Sequence, residues 1–105
     1  MAKKKKKKKN QNLESIVNYH AQHTQQRIRE RYGLNLSLEE VKRIGRRIKN
    51  HNSKRIATMS WTRTIHIVKF RRMELVIVYD KKHHVPVTAL PREKGDKYET
   101  ALQAD

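Results

Sequence analysis

Apolar positions recur twice at helical spacing and then change to strand-like alternation. Between about Leu13 and Tyr32, the residues Leu13, Ile16, Val17, Thr24 and Ile28 form one stripe at about 100° per residue, predicting an amphipathic helix. Gly33 suits the left-handed position that ends it. A second helix opens with strong signals: Ser37 and Glu40 make a capping box, and Leu36 can staple onto Val41. Leu38, Val41, Ile44 and Ile48 give its inner face, while Lys42, Arg43, Arg46, Arg47 and Lys49 face outward and suit the helix dipole. The period then shortens. Ile56 to Trp61, Thr64 to Phe70, Glu74 to Tyr79 and Val85 to Leu90 read as strands, with a turn at Arg71-Arg72 and a loop from Asp80 to His84. Pro86 lacks an amide hydrogen and points to an edge position for the last strand, which Pro91 ends.

Helices first and strands afterwards predict an α+β fold. The short connections leave no room for parallel crossovers, so two N-terminal helices should pack on one face of a three- to four-stranded antiparallel sheet. The other face is expected to be at least partly open. Residues 1–11 read as a disordered basic tail, 12–91 as one domain, and 92–105 as a polar C-terminal tail with at most one weak helical turn.

Charge narrows the partners. Lys and Arg number 26 against 10 Asp and Glu, for a formal net charge of +16. The Lys3–Lys9 run supplies part of this, but the remainder is basic in its own right. A polyanionic partner follows, nucleic acid and RNA above all, rather than a membrane surface. Without cysteine, a disulfide scaffold and Cys-ligated zinc folds are excluded. No apolar stretch reaches a transmembrane length or follows the basic start as in a secretory signal, so a cytoplasmic protein is expected.

The first helix carries the sharpest anomaly. His20, Arg27 and Arg31 fall inside its apolar stripe, and His23 lies at the stripe's edge. A guanidinium there has to be paired, bound to an anion or open to a cleft. Carboxylates are too scattered for a two-metal nuclease, and His20-x-x-His23 and His83-His84 lack a third ligand, so neither a metal nor a cofactor is expected. Metal-free RNA cleavage needs an acid, a base and cations around the phosphate. On the strands, His66, Lys69, Tyr79 and Thr88 supply suitable groups, and a face combining His66, Tyr79 and Thr88 would form a polar cleft. Each has a plainer role open to it: His66 as an ordinary strand residue, Lys69 as a solvated charge, Thr88 as a β-former, His83 and His84 as loop residues, and the arginines as partners of Glu14 or Glu30. Trp61, Tyr19 and Tyr32 can stack bases but read as core or rim residues.

The segment His23-Thr24-Gln25-Gln26-Arg27-Ile28-Arg29-Glu30-Arg31-Tyr32-Gly33-Leu34 resembles the opening of phage-encoded members of the barnase–EndoU–colicin–RelE-like superfamily of small nucleases. Leu75 to Asp80 and Val85 to Pro91 resemble its last two strands. The resemblance implies N-terminal helices on a four-stranded antiparallel sheet and RNA cleavage, commonly without a metal. It carries over His23 and Arg27 from the helix motif, Thr88 from the last strand and, more weakly, His66 and Lys69. The resulting expectation is a metal-independent, toxin-like endoribonuclease of phage or bacterial origin. His23, Arg27, His66 and Thr88 would be catalytic; His20, Arg31, Lys69, Tyr79, Arg46 and Arg47 would hold substrate. An antitoxin, immunity or host protein would be a further partner. The rival readings are a noncatalytic nucleic-acid-binding protein and a phage protein that inhibits a host protein.

Overall fold

The computed structural model describes residues 2–94, with side chains from Leu13 onward. Most of the expected polar C-terminal tail, residues 95–105, lies outside the described residues, as do the side chains of the Lys3–Lys9 run. The architecture is α+β. Helix α1 spans Ala2–Tyr32 and α2 spans Leu38–Lys49. They are followed by β1 (Lys54–Thr58), β2 (Arg63–Phe70), β3 (Met73–Asp80) and β4 (Val85–Leu90). The strands form one antiparallel meander in the order β1-β2-β3-β4.

The helix α1 starts well before Leu13, because lysine forms helix readily and no Gly or Pro interrupts the stretch. Its buried seam differs from the expected stripe. Ala21, Thr24 and Ile28 are fully buried, whereas Leu13 and Ile16 are exposed. Recentring the seam on Val17, Ala21, Thr24 and Ile28 moves His20, Arg27 and Arg31 to its flank. Gly33 ends the helix at φ +69°, its N–H donating to the Arg29 carbonyl at 3.1 Å.

The capping box of α2 forms as expected: Ser37 Oγ accepts from Glu40 N at 3.1 Å, and Glu40 Oε1 accepts from Ser37 N at 3.0 Å. Val41, Ile44 and Ile48 turn inward. Gly45 lets the helix lie close on β4, since a Cβ there would stand 2.8 Å from Pro86 Cδ.

Strand β1 begins and ends earlier than expected. Ser60 Oγ accepts from Thr62 N and Arg63 N, which turns the chain before Trp61 can join a ladder. The two helices cover one face of the sheet, α1 along β4 and α2 across β4 and β2. Val68, Phe70, Leu75, Ile77 and Ala89 belong to the core between them. The opposite face is not open. Ile56, Ile65, Ile67, Val76, Val78 and Val87 make a second cluster, each at most 8% exposed. Strand residues on both faces are therefore apolar, as expected for a sheet buried on two sides. Among the described residues, no helix is long and apolar enough to cross a membrane.

Candidate functional site

Helix α2 ends in a Schellman motif whose left-handed residue is a histidine. Asn50 is the C-cap, and His51 follows at φ +62°. His51 N donates to the Ile48 carbonyl at 3.1 Å and Asn52 N to the Arg47 carbonyl at 2.8 Å. Glycine is the usual residue here, because a side chain in this region costs about 1–2 kcal/mol. The motif stops the helix layer short of the β1–β2 end of the sheet.

The gap so created is a cleft of about 460 Å³. Lys49 and His51 come from the end of α2, Arg55 from β1, and Lys81 and His84 from the loop after β3. Thr64, His66 and Tyr79 form its floor on β2 and β3, with Ser53 beside them. His84 is also left-handed, at φ +54°. Among the described residues, every ionisable side chain in the lining is a cation, an imidazole or the Tyr79 phenol, and none is a carboxylate. Such a site attracts an anion and offers hydroxyl and imidazole groups to it. A wider groove between α1 and the start of α2, about 730 Å³, is lined largely by amides and includes the Glu40 carboxylate, so it lacks this uniform charge.

His66 sits at the bottom of the cleft and is 8% exposed. Its Nε2 lies 2.7 Å from Thr64 Oγ1 and its Nδ1 3.0 Å from Ser53 Oγ. Burial, reinforced by the Arg55 charge, lowers its pKa to about 4. At neutral pH it is an uncharged ring, engaged on both nitrogens, that fixes the floor. The Tyr79 ring meets it edge-on at 6.1 Å, and the Tyr79 hydroxyl lies 3.4 Å from His84 Nδ1. Burial pushes the Tyr79 phenol up, and the neighbouring Asp80 carboxylate adds to the shift.

A second imidazole group lies where α1 passes the Asp80–His84 loop. His83 Nδ1 is 2.7 Å from Asp80 Oδ2, and the His83 and His20 rings are 6.4 Å apart. Burial, reinforced by Arg63 and His83 and opposed by Asp80, lowers the His20 pKa. Burial works to raise the Asp80 pKa, but hydrogen bonds from the His83 ring and the Lys82 and His83 N–H groups hold it below the ordinary range. His23 stacks on Tyr19 at 6.4 Å. Among the described residues, no three His, Cys, Asp or Glu side chains group as metal ligands.

The structure divides the residues singled out from sequence. His66 and Tyr79 meet in the cleft. Thr88 does not join them, because a β-bulge at Val87 sets Thr88 opposite Val78, on the other face of the sheet. Lys69 is exposed opposite Glu74 on that same face. Arg27 pairs with Glu30 at 2.9 Å on the surface of α1. Arg31 donates to the Ala89 carbonyl. Arg46 is exposed on α2, and Arg47 lies 5.3 Å over the Phe70 ring and donates to the Lys69 carbonyl at 2.6 Å; neither lines the cleft. Sequence reasoning missed His51, Ser53, Arg55 and Lys81 and read His84 as a plain loop residue. Asn50-His51-Asn52 was the available signal: a helix end without glycine. Compared with known proteins, the chain matches no family model, no curated protein and no solved structure.

Proposed function

We propose that the protein binds RNA in the cationic cleft and cleaves it without a metal. One observation carries this reading: imidazoles, hydroxyls and cations converge in a cleft that, among the described residues, is lined by no carboxylate. Lys49, Arg55 and Lys81 would hold the scissile phosphate and stabilise the charge that builds on it. His51 and His84, both in the lining, would take the acid and base roles. One removes the proton of the 2′-hydroxyl as that oxygen attacks phosphorus. The other protonates the departing 5′-oxygen, leaving a 2′,3′-cyclic phosphate. Both histidines occupy left-handed backbone positions, a strain that tends to gather at functional sites. The resemblance to small phage nucleases agrees with this reaction class.

The test is cleavage of RNA in excess EDTA, with the cyclic phosphate identified among the products and DNA left intact. His51→Gly separates function from structure. Glycine relieves the left-handed strain, so the variant should gain on the order of 0.5–1 kcal/mol of stability. Loss of the acid–base group should slow cleavage by roughly 10²–10⁴-fold. Cleavage that needs magnesium, or equal cleavage of DNA, would sink the mechanism. The double engagement and low pKa of His66 favour a second reading, a noncatalytic RNA-binding cleft. Tight RNA binding with no cleavage of any strand would select it.

A further inference from the structure

Trp61 is 96% exposed, although tryptophan is among the residues that gain most from burial. Its turn is closed by hydrogen bonds. Met59 N and Ser60 N both donate to the Arg63 carbonyl, at 2.9 and 3.2 Å, and Ser60 Oγ accepts from Arg63 N at 3.2 Å. Lys81 N donates to the Thr62 carbonyl at 2.6 Å, tying the turn to a residue of the cleft lining. The indole is therefore held in solvent by a turn fastened to the cleft. Arg63 is two residues away and exposed, so positive charge accompanies the ring. Met59, 56% exposed, adds apolar surface to the same turn. A flat aromatic face beside cations complements a nucleobase flanked by phosphates.

We infer that Trp61 is a stacking site for an unpaired nucleobase of an RNA strand whose phosphate occupies the cleft. The inference rests on the cleft reading but not on catalysis. It narrows the substrate to single-stranded RNA, since bases inside a duplex keep their faces covered. The stacking is sequence-tolerant, because every base presents a π-face. With one such ring, the preference is for a single exposed base beside the cleft rather than for an extended run.

The chain has one tryptophan, so tryptophan emission, excited selectively over that of the four tyrosines, reports on residue 61 alone. The full-length protein is titrated with a labelled 2′-O-methyl oligonucleotide, which cannot be cleaved through its 2′-oxygen. Anisotropy of the label and tryptophan emission are followed together. Emission should be quenched along the same isotherm as binding, and a duplex of equal length should bind with little quenching. Trp61→Ala should weaken single-strand binding by roughly 5- to 100-fold, with Trp61→Phe recovering most of the loss. The melting temperature of Trp61→Ala should stay within about 2–4 °C of the parent, as for a surface substitution. Binding with unchanged emission and an unaffected Trp61→Ala variant would overturn the stacking site and leave the cleft reading intact. Failure to bind the strand at all would overturn both. An emission blue shift with anionic phospholipid vesicles, without quenching by oligonucleotide, would overturn the inference in favour of a membrane surface.

Discussion

The seam between α1 and β4 and the cleft beyond α2 use the same residue types to opposite ends. At the seam, Thr24 Oγ1 donates to the Pro86 carbonyl at 2.9 Å, and Arg31 donates to that of Ala89. The Tyr32 hydroxyl donates to the Leu90 carbonyl at 2.6 Å and accepts from Val76 N at 3.0 Å. Thr24 and Arg31 thus occupy carbonyls of the edge strand β4, a position that otherwise invites pairing with another chain, while Tyr32 bridges β3 and β4 at the partnered residues Val76 and Leu90. In the cleft, Ser53, Thr64 and His66 satisfy one another, and Lys49, Arg55 and Lys81 meet no carboxylate among the described residues of the lining. An arginine or hydroxyl is structural or functional according to what surrounds it. Main-chain carbonyls consume it at the seam; solvent and like charge leave it available in the cleft.

The comparison breaks most readily at Ile28, fully buried at the seam. Ile28→Ala should cost about 2–5 kcal/mol of unfolding free energy, measured by urea denaturation. A loss under about 1 kcal/mol would mean that α1 is not anchored there.

A slightly smaller effect is expected at His66. Its pKa is about 4 in the folded chain and ordinary when unfolded. The unfolded state therefore takes up the proton first. The stability that this difference contributes is present above about pH 6.5 and is lost as pH falls from there toward 4, by on the order of 2–3 kcal/mol. His66→Asn should flatten this part of the pH–stability curve. An unchanged slope in the variant would contradict the buried neutral ring.

Tyr32→Phe should cost about 1–3 kcal/mol, because it strands the Leu90 carbonyl and the Val76 N–H together. Faster amide exchange at Val76 would locate the loss, and unchanged exchange there would count against the bridge.

The smallest stability effect belongs to Arg27→Ala. Its pair with Glu30 is exposed, so the change should be about 0.5 kcal/mol or less. This variant sharpens the functional contrast. If the cleft holds the substrate, RNA cleavage should stay within about two-fold of the parent, whereas a hundred-fold drop would move the site to the flank of α1, where the family resemblance looked for it.

Local chemistry was readable along the chain wherever a few neighbouring residues decide the outcome. Ser37 and Glu40 announce the start of α2, Gly33 ends α1, and the β-branched runs and Pro86 mark the strands and the edge. Strand alternation also put His66 with Val68 and Phe70, on the face opposite Ile65 and Ile67. Long-range placement was not readable. A single bulged residue, Val87, sent Thr88 to the wrong face for a site with His66. Recentring the α1 seam by a fraction of a turn moved Arg27 and Arg31 to its flank. The cleft exists because α2 stops at Asn50 and packs across β2 and β4, so residues distant in sequence, His51 and His84 among them, line one space. Sequence determines elements through local sterics, capping and periodicity. Which charges are consumed and which stay open depends on register and helix position, set by packing across the whole domain.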